Sequence, residues 1–140
     1  MTETIKKLRV IHLALLSGQV MFGLVLLLQS LKPVVETVES QKILLQAMAV
    51  FYLVAVLGSR LLYRYMLKAA QDKTSPDQKI WHYQRALLFR WISLEISSFL
   101  ALVCFMLSSE KTFLFFAMLT AILLALDNPS QKRFEQKLGL

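Results

Sequence analysis

The sequence predicts an all-α, polytopic membrane protein whose four transmembrane helices form two antiparallel hairpins. Three observations lead there. Of 140 residues 56% are hydrophobic and the mean hydropathy is +0.55, too apolar for a soluble domain with one core and a polar surface. The apolar residues fall into four runs, each of a length that suits a helix in a bilayer. The Lys and Arg residues behind the formal charge of +7 gather at the ends of those runs, as they do beside membrane spans. A basic face for nucleic acid is therefore not expected; membrane lipids are.

The first span is predicted over residues 10–29, roughly twenty residues, which cover the ~30 Å hydrocarbon core at 1.5 Å per residue. It follows Lys6, Lys7 and Arg9 directly. It is long, lacks a small-residue cleavage pattern and precedes three more spans, so it is expected to be retained. In the connection after it Pro33 breaks the helix, while Glu36, Glu39 and Ser40 give the second helix an acidic, cappable start. The second span, 43–58, is short for a bilayer, with Lys42 and Arg60 snorkelling from its ends.

Beyond Gly58 the pattern stays helical but becomes amphipathic, and the helix is expected to project into the cytoplasm. It breaks at Gln71 to Ser75. The next helix opens on a capping Ser75, Pro76 at the first helical position and Gln78 at the third. Nothing interrupts it before Ser108, and its second half, 91–107, is the third span. After a turn the fourth span, 112–126, ends at Asp127, Asn128 and Pro129. The short tail helix that follows spaces Phe134 and Leu138 four apart among Lys132, Arg133 and Lys137, as in a helix lying on a membrane surface. The whole is one domain.

Counting Lys and Arg gives three at the amino end, seven from Arg60 to Arg90 and three in the tail, against Lys32, Lys42 and Lys111 on the opposite connections. The larger group belongs in the cytoplasm, so both termini are expected there. Trp81, Trp91, Tyr63, Tyr65 and Tyr83 fall near the same boundary and are expected to form an aromatic belt.

Glu95 is the most informative residue, because a carboxylate in hydrocarbon is unfavourable by on the order of 3 kcal/mol unless it is protonated, paired or near water. It is expected to face inward. On the first span His12 and Gln19 lie seven apart and share a face, so an intramembrane polar contact of Glu95 with His12 or Gln19 is expected. A second pattern on the third span, Ser93, Ser97, Ala101, Cys104 and Ser108, steps by fours and threes and forms a small-residue seam for close helix packing. A third, Arg60, Arg64 and Lys68 at i, i+4 and i+8, forms a basic stripe suited to lipid headgroups or an acidic partner surface.

Catalytic signatures are missing. There is no Gly-rich phosphate loop, nucleophile elbow, HExxH pattern or paired carboxylate arrangement. With one cysteine, Cys104, no disulfide can form within the chain. No metal site, cofactor or enzymatic activity is expected.

Three stretches carry a resemblance: HLALLSGQVMF from His12 to Phe22, YQRALLFRWISLE from Tyr83 to Glu95, and the ending NPSQKRFEQKLGL. Together they resemble a family of small four-span bacterial inner-membrane proteins that has no assigned activity. The resemblance implies a bacterial inner-membrane location and transfers no site. The residues themselves suggest a non-enzymatic structural or accessory subunit that packs against a larger membrane complex or its own copies. The competing expectation is a small oligomeric transporter or proton-coupled carrier that uses Glu95.

Overall fold

The computed structural model describes residues 2–29, 32–34 and 37–139, and among them there are helices and no strand. The expected contribution of Glu36 to the second helix lies outside the described residues. The order is α1 (Thr2–Leu28), α2 (Val38–Gln71), α3 (Pro76–Ser108), α4 (Lys111–Leu126) and α5 (Gln131–Leu138). Three of these, α1, α2 and α3, are long and apolar enough to cross a membrane. At 16 residues, about 24 Å, α4 falls short alone. It counts as a fourth crossing only when joined to α5, which bends away from it by 78°.

Helix starts follow local chemistry, with two corrections. The cap of α2 is Thr37, whose hydroxyl accepts from the Ser40 amide at 3.2 Å. Ser40 and Glu39 sit inside the first turn rather than before it, and Glu39 supplies negative charge at the amino end. α3 does begin at Pro76 after an extended Ser75, yet the Ser75 side chain makes no capping bond. Its backbone carbonyl instead accepts from the Lys79 amide at 3.0 Å. α3 ends at Ser108 and is capped by Ser109, whose φ of 55° puts it in the left-handed region that reverses a chain after a helix.

α3 is the centre of the bundle. It packs against α2, α4 and α1, while α1 lies on α3 and α4. The first predicted hairpin is therefore not a closely packed pair: α1 pairs principally with α3 and α4 rather than with α2. The cause is visible in the buried positions of α1, where Ile5, His12, Gln19 and Leu26 recur every seven residues and draw one narrow stripe that only one groove can accept. Two clusters form the core. At the end bearing most of the basic residues, Ile5, Leu8, Tyr63, Tyr83, Trp91, Leu124 and Phe134 meet; at the far end, Leu26, Met48, Tyr52, Ala101, Leu102 and Phe113 do.

The basic end departs from expectation. Tyr63, Tyr83 and Trp91 are buried, and only Tyr65 and Trp81 of the expected aromatic belt are exposed. α5 also turns its apolar pair inward: Phe134 and Leu138 are buried in the cluster with Tyr83 and Ala70, and the Phe134 and Tyr83 rings meet edge to face at 4.6 Å. The helix is a lid on the bundle rather than a raft on a surface. Trp91 apart, whose ring meets His12 of α1 at 5.0 Å, the corrections share one reason. α2 and α3 continue as a packed pair past their apolar segments, and their facing side chains need a third element to exclude water, which α5 provides.

Candidate functional site

The polar residues of the apolar region separate into two sets. Gln19 Nε2 donates to Glu95 Oε2 at 2.6 Å, joining α1 to α3. His12 does not take part: its Nε2 lies 2.6 Å from the Leu124 carbonyl in the last turn of α4, and its ring tilts against Trp91 at 5.0 Å between centroids. Seven residues of α1, about 10.5 Å, separate the two side chains, so the Glu95 carboxylate reaches only one of them. The Leu124 carbonyl also accepts from the Asp127 amide at 3.0 Å, so His12 uses the second lone pair of a carbonyl at the helix end.

Beside the Gln19–Glu95 pair a groove of about 640 Å³ opens between α1 and α4, with α3 as its floor. Its walls are apolar, among them Leu24, Leu27, Leu114 and Met118, and Gln19 and Ser98 form its polar floor. Both are almost fully enclosed, at 3% and 1% exposure. Among the described residues Gln19 Oε1 and Ser98 Oγ have no hydrogen-bond partner. The amide orientation is fixed by the donation to Glu95, so the unpartnered Gln19 atom is an acceptor. Ser98 was not singled out in the sequence, although it sits three residues after Glu95 on the same face; its neighbour Ser97 completed the more regular seam.

That seam is used within the chain. Ser97, Ala101, Cys104 and Ser108 are buried and Ser93 is half-buried. Ser97 donates to the Ser93 carbonyl at 2.8 Å, Ser93 to Phe89 at 2.9 Å and Ser108 to Cys104 at 2.8 Å. Each hydroxyl is thus satisfied by the preceding turn of its own helix, leaving a smooth surface for packing.

The basic stripe has the opposite character. Arg60, Arg64 and Lys68 are all exposed on the outer side of α2. Behind them, on the inner side, is a polar cluster that the sequence did not reveal. Arg90 Nε stands 2.9 Å from Asp127 Oδ2 as an ion pair without the alignment of a hydrogen bond. Lys137 Nζ donates to Tyr63 Oη at 3.0 Å, and Tyr63 Oη lies 3.4 Å from Tyr83 Oη. Arg90 and Lys137 also stand over the Tyr63 ring, at 5.2 and 5.0 Å. Burial raises the Asp127 carboxyl above the usual range, opposed by Arg90, Arg133 and Lys137. Burial likewise raises both tyrosines, and Tyr83 is raised further by its hydrogen bond with Tyr63. In sequence Asp127 read as a helix stop, because nothing local marks it as the partner of a residue 37 positions earlier.

Chemically, the apolar region offers a neutral acceptor and a hydroxyl on residues that line a groove, with one carboxyl group held by an amide. The basic end offers an exposed row of cations on a rigid support. Compared with known protein families, curated proteins and solved structures, the chain matches none.

Proposed function

We propose that this chain is a non-enzymatic accessory subunit of a larger complex in the bacterial inner membrane, with both termini and the α2–α3 extension in the cytoplasm. The observation that carries the reading is the sealed extension. α2 and α3 have 34 and 33 residues, about 50 Å each against a hydrocarbon core of ~30 Å. The surplus is packed through Tyr63, Ala70, Tyr83 and Ala86 and closed by α5, so it stands as a stiff post. Arg60, Arg64 and Lys68 climb its outer side about 6 Å per step. Headgroups reach the lowest of them, and the upper ones suit an acidic surface of a partner subunit.

Gentle detergent extraction followed by native mass measurement tests this. A co-purifying membrane subunit is expected, released at high salt because exposed charge pairs are screened. The triple variant R60E/R64E/K68E should lose the partner while melting like the wild type. A strictly monomeric wild-type species with no companion would count heavily against the proposal.

A second reading, a proton-coupled carrier, draws on the half-buried Glu95 held by a single amide next to an open groove. One four-helix chain hardly encloses a pathway, so the carrier would be an oligomer. Flux in reconstituted vesicles that vanishes in Glu95→Gln would favour it over the accessory role.

A further inference from the structure

We propose that the groove between α1 and α4 is a binding site for a neutral lipophilic alcohol or phenol, whose hydroxyl sits on Gln19 and Ser98. The floor sets the chemistry. Gln19 Oε1 can only accept, while Ser98 Oγ both donates and accepts, and neither has a partner among the described residues. A hydroxyl is the smallest group that answers both, donating to the amide oxygen and accepting from the serine. A hydrocarbon chain leaves both atoms bare in a region without water, where unpaired polar groups are strongly disfavoured.

The surroundings exclude charge on the buried end of the ligand. The Glu95 carboxyl lies just behind the Gln19 amide, bonded to its nitrogen, and offers an anion no positive partner. Among the described residues no side chain on the groove floor is charged; Lys111 stands at the opposite mouth beside Ser109. From Ser98 to Ser109 the floor rises eleven residues, about 16 Å, close to half of the ~30 Å hydrocarbon core. The occupant therefore places its hydroxyl deep and its apolar body along Leu24, Leu102 and Leu114. A phospholipid arranges itself the other way, head at the surface and methyl end at the centre, which sets its least polar atoms on the polar floor.

The size of the groove suits a small molecule. A groove of about 640 Å³ is in the ordinary range for ligand sites of roughly 300–1,000 Å³. A partner helix brings no free backbone donor to the Gln19 oxygen, because its amide groups are already used within it. The site is independent of the basic post and of whatever docks there.

The test uses the full chain, delipidated and placed in nanodiscs, with hexadecanol as probe and hexadecane as its hydroxyl-free control. Native mass spectrometry and competition give relative affinities. Hexadecanol is expected to bind about 5- to 30-fold more tightly than hexadecane, the ratio that one buried hydrogen bond supports. In Ser98→Ala that preference should shrink by the share of the serine bond and keep what the Gln19 amide contributes, while melting is unchanged or improved, because the lost hydroxyl had no partner among the described residues. Ala121→Phe and Gly23→Leu, from opposite walls, fill the groove and should abolish binding of both probes. At Gly23 an added Cβ meets only Leu102 Cδ2 at 3.8 Å, ordinary contact, so the fold accommodates the start of a side chain. Equal binding of alcohol and alkane would overturn the proposal and make the groove a seat for ordinary acyl chains. Absence of binding by either probe would overturn it as well, as would a partner protein that Ala121→Phe releases in place of the alcohol.

Discussion

Gln19 and Glu95 are joined across α1 and α3 by a 2.6 Å hydrogen bond, while His12, on the same face of α1, bonds to the Leu124 carbonyl instead. The two contacts share no atom. A mutant cycle should therefore show coupling between Gln19→Ala and Glu95→Leu of about 0.5–1.5 kcal/mol. His12→Ala should add to either within about 0.5 kcal/mol. Glu95→Gln, which keeps an acceptor oxygen, should fall less than Glu95→Leu. Reversible unfolding in mixed micelles measures all of these; strict additivity of Gln19 with Glu95 would remove the bond from the account.

The lid helix gives a larger effect. Phe134 is fully enclosed between Tyr83 and the α2–α3 pair, so Phe134→Ala should lower stability by about 3–5 kcal/mol. The damage should be local. Hydrogen exchange is expected to rise in α5 and in the neighbouring parts of α2 and α3, around Tyr63, Ala70 and Tyr83, with protection around Leu102 and Phe113 unchanged. A uniform loss of protection would mean that the two core clusters unfold as one.

Alkaline pH should loosen the same region. Burial holds the Tyr63 and Tyr83 hydroxyls protonated above their ordinary value near 10, whereas the unfolded chain releases those protons there. The native state then binds more protons than the unfolded one, so stability is intact below about pH 10 and declines as pH rises beyond it. The groups facing this pair include Arg90, Asp127, Arg133 and Lys137, and Lys137 donates to Tyr63. Phenolate absorbance followed together with melting provides the check: Tyr83→Phe should reduce the alkaline loss, and an unaltered profile would exclude these tyrosines as its source.

Topology is tested by reporter fusions. Reporters inserted at Lys73 or fused after the carboxyl end should report the cytoplasmic side, and one near Glu36 the opposite side. The expectation rests on thirteen Lys and Arg residues on one side against three on the other. A signal from the far side at Lys73 would reverse the arrangement proposed for the basic post.

Much of the architecture is local and was therefore legible. Continuous apolar runs, Pro76 at a helix start, and the break after Gln71 all act within a few residues, because helix formation and termination depend on nearby side chains and backbone groups. The seven-residue interval between His12 and Gln19 likewise fixed their common face. What the sequence left open was the choice among partners at long range. It allowed Glu95 to meet either His12 or Gln19; the tertiary structure selected Gln19, since the register of α1 on α3 sets one of them within reach. It marked Tyr63, Tyr83 and Trp91 as aromatics near a boundary, and Phe134 as an apolar residue on a surface helix. The burial of Tyr63, Tyr83 and Phe134 was decided by α5 folding back over the extension, a contact between segments about fifty or more residues apart, and the ring of Trp91 meets His12 of α1. Arg90 and Asp127 carry no sequence sign of each other for the same reason: periodicity records which side of a helix is apolar, but only packing decides which element covers it.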